Sequence, residues 1–185
     1  MILNSAKRYS RGITISLVVV ITTAFFCYHF MLERGPIYTF NEARDTKAIL
    51  DIFDKNWYWL IANDDSSPAF MLKYRTPNTN PVYFGKMNIK VLRENDQLAG
   101  FITYFREKQD QWRILFLAVD ERYRSKGYGE QLARYAIDDM VKRGAQTITL
   151  WTRLANLPAQ RIYKRLGFVE VYDTPGGFIY FEYIP

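Results

Sequence analysis

A hexapeptide of basic, small and aromatic residues carries the clearest chemical signal in the chain. Residues 124–129 read Arg-Ser-Lys-Gly-Tyr-Gly and follow a six-residue apolar run at 114–119. A buried strand that turns through two glycines into a helix leaves several backbone N–H groups unpaired and pointing the same way. Such an arrangement suits a diphosphate. We call residues 124–129 the glycine loop, and its pattern predicts an anion-binding site.

The segment behind the glycine loop has the period of an amphipathic helix. Leu132, Ala136 and Met140 fall four residues apart on one face, and charged residues take the opposite side. Gly144 stands just past the last turn, where glycine commonly ends a helix. The helix is therefore predicted to end near residue 143.

The glycine loop does not match the common nucleotide-binding motifs. Leu132 stands where a dinucleotide fingerprint needs its third glycine, and no Gly-Lys-Ser/Thr follows, as a P-loop would require. Taken alone, glycines at such a turn are also explained by turn geometry. The spacing that does fit is Arg-x-x-Gly-x-Gly, formed by Arg124, Gly127 and Gly129.

Together with Leu-Ala-Val-Asp at 117–120, this spacing closely resembles the acetyl-CoA pyrophosphate loop of the GNAT N-acetyltransferase superfamily. A second motif, Asn-x-x-Ala-x-x-x-Tyr-x-x-x-Gly-Phe, begins at Asn156 and resembles a later helix of the same superfamily. Two independent motifs in the right order are much harder to obtain by chance than one. The resemblance covers about residues 37–185 and implies a GNAT domain there.

The resemblance implies a binding site for acetyl-CoA, used as a co-substrate without a metal ion. In the family the sheet splays beside the strand that precedes the glycine loop, and the pantetheine arm pairs with that strand like an added strand. The residues expected to bind acetyl-CoA are Leu117, Ala118, Val119, Arg124, Ser125, Lys126, Gly127, Tyr128, Gly129 and Asn156.

Direct acetyl transfer needs a neutral amine, a hydrogen-bond donor to the oxyanion and a proton for the leaving thiolate. Backbone N–H groups near Val119 are the expected oxyanion donors, and the resemblance makes Tyr163 the expected catalytic acid. A phenol of pKa about 10 protonates a thiolate, whose conjugate thiol has a pKa of about 8.5, only when the phenol is well placed. From periodicity alone Tyr163 is better explained as a core residue, and the family pattern reverses that interpretation.

No carboxylate stands where relatives place a catalytic base. Some family members carry a glutamate at the position of Arg113, and the ribosomal-protein alanine acetyltransferases, which residues 150–167 otherwise resemble, carry one at Trp151. Asp120 fits a turn residue better than a base. Glu170 and Glu182 on the final hairpin stay open as alternatives.

The missing base bears on the acceptor. Deprotonating an α-amine of pKa about 8 at pH 7 costs roughly 1.4 kcal/mol, whereas a lysine amine costs roughly 4.6 kcal/mol. We therefore expect the acceptor to be an α-amine of a protein N-terminus, or a weakly basic small amine, rather than lysine.

The first 32 residues form a separate feature. Residues 12–32 carry no formal charge, and these 21 residues would span roughly 31 Å as a helix, enough for a bilayer. A basic flank, residues 1–11, precedes them. A cleaved signal peptide and a buried helix are the alternatives. We expect a transmembrane anchor at 12–32 and a single-pass membrane protein, with domain 37–185 on the cytosolic side, where acetyl-CoA is found.

Composition excludes several other functions. Three of the 25 basic residues lie in the N-terminal flank, and the other 22 exceed the 19 acidic residues only slightly, so no nucleic-acid partner is expected. The only histidine, His29, lies in the apolar segment, which excludes a histidine-based triad or a multi-histidine metal site in the domain. A single cysteine, Cys27, excludes an internal disulfide.

The remaining pattern predicts an α+β, three-layer GNAT fold: a mixed, mostly antiparallel sheet of about seven strands with flanking helices, besides the N-terminal transmembrane helix. An early helix over 46–61, capped by Asp45, ends in Trp57-Tyr58-Trp59. On one interpretation two of these aromatic residues are core and the third is merely exposed. On the other, one of them lines the acceptor groove. The strands are placed at 37–40, 87–93, 98–106, 112–119, 145–152, 168–173 and 178–184, with a later helix at 157–166.

These features favour a membrane-anchored, acetyl-CoA-dependent N-acetyltransferase. The alternative is a catalytically weak acyl-CoA-binding or scaffold membrane protein, which the missing carboxylates allow.

Overall fold

A computed structural model describes residues 36–61, 72, 84–174 and 176–185. A seven-stranded sheet with the order β1-β2-β3-β4-β5-β7-β6 runs through these residues. Its neighbours pair antiparallel except β4 and β5, which are parallel. The strands are β1 (Ile37–Thr39), β2 (Phe84–Glu94), β3 (Gln97–Arg106), β4 (Gln111–Val119), β5 (Thr147–Arg153), β6 (Val169–Thr174) and β7 (Phe178–Tyr183). The predicted mixed sheet is confirmed.

The helices cover the two faces of the sheet. They are α1 (Glu42–Lys55), α2 (Trp57–Leu60), α3 (Tyr128–Lys142) and α4 (Leu157–Arg165). On one face α1 buries Ile49, Ile52 and Phe53 against β2, β3 and β4. On the other face α3 buries Leu132, Ala136 and Met140, the row that the sequence pattern predicts. The sheet therefore lies between two helical layers, each with its own apolar core.

Helix α1 begins earlier than the sequence pattern predicts, and Asp45 is not its cap. Asn41 is the N-cap and its side chain accepts from the Arg44 N–H at 3.1 Å. The buried Asp45 carboxylate reaches back to the Asn41 N–H at 2.8 Å and also pairs with Arg93. These reciprocal bonds stabilise the helix start, so Asp45 contributes from inside the helix.

The early helix also ends sooner than expected. The helix is interrupted at Asn56, which separates α1 from the short α2. Tyr58 and Trp59 are 57% and 40% exposed, so the expectation that two of the three aromatic residues are buried is wrong. The short α2 instead places Trp59 beside the site described below.

A β-bulge in β4 changes the direction of its side chains. Thr103 pairs with Phe116 and Tyr104 pairs with Ile114, which leaves Leu115 as an extra residue. Before the bulge Ile114 packs into the α3 core, and after it Phe116 and Ala118 pack into the α1 core. The side chains of Leu117 and Val119 consequently face α3, next to the start of that helix.

The bulge lies where β4 and β5 separate. Their pairing runs from Gln111 with Thr147 to Ile114 with Leu150. No pair joins the two strands among the described residues that follow. We call the gap between residues 115–119 and 151–153 the β4–β5 cleft.

The expected single-pass membrane topology, with the catalytic domain on the cytosolic side, is wrong. No helix in the described ranges is long and apolar enough to cross a bilayer. The longest, α3, has 15 residues, which span only about 22 Å. The anchor expected at residues 12–32 lies outside the described residues.

Candidate active site

A cavity of about 750 Å³ occupies the β4–β5 cleft. Residues 113–119 of β4 and 150–152 of β5 form two of its sides. At one end it reaches Arg124 and Gly129 of the glycine loop, which we call the donor end. At the other it reaches Arg113, Trp59, Leu60, Ile61 and Phe178, which we call the acceptor end. Val119 lies six residues after Arg113 on β4, so about 20 Å of strand separates the two ends.

The donor end presents backbone donors at the start of α3. Gly127 is the N-cap at φ +78°, and the first intrahelical bond runs from the Gln131 N–H to its carbonyl at 3.0 Å. In the described part of the chain, nothing accepts from the N–H groups of the residues 128–130 between them. These donors and the helix dipole favour an anion there.

Two glycines serve different purposes in this turn. The left-handed conformation of Gly127 strains any residue with a side chain, and the space beside its Cα is open. At Gly129 a Cβ would lie 3.4 Å from the Ile162 side chain of α4 and 3.8 Å from Val119. Gly129 therefore lets α3, α4 and the end of β4 approach one another beside the cavity.

The two basic side chains of the glycine loop are held by neighbours. Arg124 donates from Nη2 to the Asn56 side-chain oxygen at 2.9 Å and from Nε to the Val119 carbonyl at 3.4 Å. Lys126 donates to both oxygens of Glu94 at 2.9 and 3.0 Å, and this bonding raises the pKa of Lys126. Arg124 thus lines the cavity, while Lys126 turns toward the β2–β3 hairpin.

The edge of β4 offers a second set of backbone groups. The Asp120 N–H bonds to the Ala99 carbonyl at 2.9 Å, and the Phe116 N–H bonds to the Thr103 hydroxyl at 3.1 Å. Along a strand, successive residues direct their N–H and C=O groups toward opposite neighbouring strands. Leu117 and Val119 therefore direct their N–H and C=O groups away from β3, into the cleft that β5 leaves open.

Tyr163 lies on α4 and lines the cavity. Its ring packs against Phe168 and Phe181, with ring centres 5.7 and 6.1 Å away. The residue is only 6% exposed, and this burial raises the pKa of its phenol well above the usual value. None of the described residues hydrogen-bonds to its hydroxyl. The side chain is therefore a core residue whose phenol also lies at the cavity wall, and its role as a catalytic acid stays a prediction.

Asn156 caps α4 as the sequence pattern predicts. Its side chain accepts from the Ala159 N–H at 3.3 Å, and the residue lines the cavity beside Ala159 and Tyr163. Of the other residues expected to bind the donor, Leu117, Ala118, Val119, Arg124 and Gly129 also line it. The other four, Ser125, Lys126, Gly127 and the buried Tyr128, do not line it.

The acceptor end is built from side chains of several elements. Arg153, at the end of β5, donates to the carbonyls of Tyr58 and Ile61, the latter at 2.8 Å. Its guanidinium also lies over the Tyr58 and Phe178 rings, 4.2 and 4.8 Å from their centres. One side chain thereby joins α2, β5 and β7 around this opening.

Arg113 brings a positive charge to the same end. Its Nη2 lies 2.7 Å from Glu107 Oε1, and the two side chains are 25% and 12% exposed. Arg113 lines the cavity and Glu107 does not. Within the described ranges, the residues that line the cavity include no aspartate or glutamate, and no cluster of three potential metal ligands is found.

The family follows from a comparison with known sequences. The sequence profile of the acetyltransferase (GNAT) family matches residues 46–168. The chain belongs to the GNAT family. Membership confirms the sequence-based family assignment and supports an acyltransferase that uses acetyl-CoA as the acyl donor. The open strand edge and the unpaired N–H groups of α3 fit such a donor.

Individual GNAT relatives differ in the acceptors that their names state. The chain is 30% identical over 116 residues to a mycothiol acetyltransferase of Corynebacterium efficiens, with 60% of this chain and 39% of that protein covered. It is 28% identical over 119 residues to the ribosomal protein bS18-alanine N-acetyltransferase of Salmonella typhimurium, with 60% and 79% covered. The matched stretch is thus well under half of the first relative.

Solved structures show the same fold. The structure of yncA from Salmonella typhimurium with its cofactor acetyl-CoA superposes with a TM-score of 0.66 at 17% identity, covering 82% of this chain and 94% of that one.

Several cavity residues escape prediction from the sequence. Asn56 appears only as part of a helix pattern. Arg153, which supports the acceptor end without lining the cavity, lies just past the predicted strand 145–152. The sequence draws attention to Arg113 only because some family members carry a glutamate at that position, and it does not predict a role for the arginine. The interruption of an apolar stripe by Asn56 is the one local signal that could have marked the break between α1 and α2.

Proposed function

We propose that this chain transfers an acetyl group from acetyl-CoA directly to a neutral amine, either the α-amine of a protein N-terminus or a weakly basic small amine. The observation that carries the proposal is one continuous cavity. It joins a phosphate-type anion site at the glycine loop to an opening whose described lining residues include no carboxylate. Residues 37–185 are the proposed catalytic domain.

The donor end would hold acetyl-CoA mainly through backbone. The N–H groups at the start of α3 and the side chain of Arg124 would bind the diphosphate. The cleft-facing groups of Leu117 and Val119 would pair with the pantetheine arm in the manner of an added strand. The remaining residues in this proposed site are Ala118, Ser125, Lys126, Gly127, Tyr128, Gly129 and Asn156.

Tyr163 is the proposed acid for the departing thiolate. Its raised pKa keeps the phenol protonated across the neutral range, so the proton is always present. The same shift makes the buried phenol a weaker acid, so the proton transfer depends on direct contact between the phenol and the thiolate. Phe168 and Phe181 fix the ring, which supports this role.

The acceptor end favours an amine that is already neutral. Its lining contains no carboxylate in the described part that could remove a proton or attract a lysine ammonium, and its charged residue is Arg113. An α-amine loses its proton at a cost about 3 kcal/mol smaller than lysine does. The bS18-alanine enzyme among the relatives supports an α-amine, and the mycothiol enzyme supports a small molecule.

A competition assay with the full chain tests this proposal. Two peptides of one sequence carry either a free α-amine with an acetylated lysine, or an acetylated N-terminus with a free lysine. We expect [¹⁴C]acetyl transfer to the first to exceed transfer to the second at pH 7, with coenzyme A released in equal amount. Preference for the lysine peptide would contradict the acceptor class. Binding of acetyl-CoA without transfer to any amine would favour an acyl-CoA-binding protein instead.

A further inference from the structure

Arg113 occupies a position at which it can recognise part of the acceptor. It lies on β4 at the end of the cavity remote from the glycine loop, and its side chain is 25% exposed. Trp59, Trp151 and Phe178 also line the cavity. An arginine set among aromatic and apolar side chains is a strong site for a planar anion, because little water competes for its N–H groups.

The guanidinium of Arg113 is only partly used by the protein. Among the described residues, its ion pair joins Nη2 to Glu107 Oε1 at 2.7 Å. Arg113 Nε and Glu107 Oε2 are both buried and have no partner among the described residues. Because a guanidinium has five N–H donors and pairs best with a carboxylate through two of them, this single bond leaves most of its capacity free.

Glu107 reduces the charge of Arg113 without blocking it. Glu107 is 12% exposed and does not line the cavity, so it lies behind Arg113 as seen from the cleft. The nearest other carboxylate in the same row of the sheet is Glu182. Thr149 stands between Glu182 and Arg113, which places the two backbones about 9.6 Å apart. Within the described ranges, the residues that line the cavity beside Arg113 include no carboxylate that would compete with a ligand for its guanidinium.

We propose that Arg113 selects acceptors that carry a carboxylate on the residue or small molecule that bears the reacting amine. This inference rests on the proposed function and narrows its acceptor class. An acidic first residue would pair with the guanidinium. A cationic first residue would meet a like charge in a cavity whose described lining offers no carboxylate to compensate.

Three peptide amides test the proposal, identical except for a first residue of aspartate, asparagine or arginine. Their binding to the full chain is measured by calorimetry, with and without coenzyme A, and their acetylation is measured separately. We expect the aspartate peptide to bind about tenfold or more tightly than the asparagine peptide, and the arginine peptide most weakly. Equal binding of the aspartate and asparagine peptides would overturn the proposal.

Variants assign the preference to Arg113. In Arg113→Gln the ratio between aspartate and asparagine peptides should fall to about one, while the asparagine peptide keeps its affinity within about twofold. Glu107→Gln, which frees Arg113, should keep or widen the wild-type ratio. A ratio that survives Arg113→Gln, or an equal loss for all three peptides, would contradict a selective role.

Folding is controlled by a double variant. Arg113→Gln alone leaves the Glu107 carboxylate partly buried without its partner, whereas Arg113→Gln with Glu107→Gln removes both charges. The double variant should show the same ratio of about one. Because peptide binding is measured without acetyl transfer, a binding preference in an inactive protein would uphold this inference and contradict only the proposed function. Transfer to all three peptides at equal rates would uphold the proposed function and contradict this inference.

Discussion

The two ends of the cavity are made in different ways. At the donor end the chemistry comes from backbone: N–H groups at the start of α3 and the open edge of β4 after the bulge at Leu115. At the acceptor end it comes from side chains, chiefly Arg113, Trp59, Phe178 and the stacked Arg153. The binding groups of the donor end therefore require few particular residue types, whereas those of the acceptor end require several particular side chains.

This difference explains how one fold can serve many acceptors. A backbone site survives most substitutions as long as its glycines and its strand geometry persist. A site made of side chains from α2, β4, β5 and β7 changes with each of them. Relatives named for mycothiol and for a ribosomal protein are consistent with a shared donor end and a variable acceptor end.

The largest expected effect is a loss of acetyl-CoA binding when the N-cap glycine of α3 is replaced. A matched control separates damage to the anion site from backbone strain. Gly127→Glu should weaken acetyl-CoA binding about 100-fold or more, because it adds negative charge at the proposed diphosphate site. Gly144→Glu is the matched control, since Gly144 also has positive φ and open space but lies at the other end of α3. Calorimetric titration measures both. Equal losses in the two variants would show that strain, and not the donor site, causes the effect.

The second expected effect concerns Tyr163. Tyr163→Phe should lower kcat about 100-fold, while the Kd for acetyl-CoA changes less than about twofold, because only the proton donor is removed. Tyr104→Phe is its control, since that buried phenol bonds to Asp139 at 2.7 Å and does not line the cavity. Unchanged kcat in Tyr163→Phe would leave Tyr163 as a core residue only.

The raised pKa of Tyr163 predicts how the kcat ratio between wild type and Tyr163→Phe depends on pH. The neutral phenol is favoured in the folded state, so its stabilising contribution is complete below the unfolded pKa of about 10 and declines as pH rises above it. Between pH 6 and 9 the phenol stays protonated, and the kcat ratio between wild type and Tyr163→Phe should stay constant. A ratio that changes within this range would contradict the assignment.

A smaller effect is expected at Arg153, which organises the acceptor end. Arg153→Lys keeps the charge but loses the planar contact with Tyr58 and Phe178 and one of the two carbonyl bonds. The KM for the amine should rise about fivefold, while the Kd for acetyl-CoA stays constant. Arg134→Lys, at an exposed pair with Glu130, serves as the control. A parallel loss of donor binding would mean that the two ends are not independent.

The smallest effect concerns the support of the donor end. The Asp120 carboxylate accepts from the Arg122 N–H at 3.0 Å and from its Nε at 2.9 Å, and the Arg122 side chain lowers the pKa of Asp120. The stabilisation is therefore present above about pH 4 and is lost as pH falls through the lowered pKa. Asp120→Asn should reduce the unfolding free energy by about 1 kcal/mol at pH 6 and by less at pH 3.

Urea unfolding at the two pH values measures this effect. Asp138→Asn, at an exposed position on α3, should change little at either pH. A loss in Asp120→Asn that is the same at pH 3 and pH 6 would show that the Asp120 charge is not what matters.

The same contrast explains what the sequence could predict. The glycine loop, the buried row of α3 and the Asn156 cap are short-range patterns, and all three lie where the sequence predicts them. The bulge at Leu115 leaves no mark in an apolar run, because both core faces accept the same residue types. The exact start of α1 is equally hidden, since asparagine and aspartate are both favoured N-cap residues and residue type alone does not choose Asn41 over Asp45.

The acceptor end could not be assembled from the sequence. Its residues come from positions 59 to 178 and meet only through the sheet order, in which β7 lies between β5 and β6. Arg113 shows the limit most clearly. Its replacement of a glutamate indicates the loss of a base, but its exposure to the cavity and its single bond to Glu107 appear only in the structure.

The central claim is that the acceptor supplies its own neutral amine, because the described lining of the cavity includes no carboxylate to act as a base. The most direct test is the pH dependence of kcat/KM for two acceptor peptides whose α-amines differ in pKa by about one unit. The account predicts that the rising limb shifts with the pKa of each amine, near 8 for an ordinary N-terminus. A limb at a lower pH that stays fixed for both peptides would reveal a catalytic base in the protein and contradict the claim.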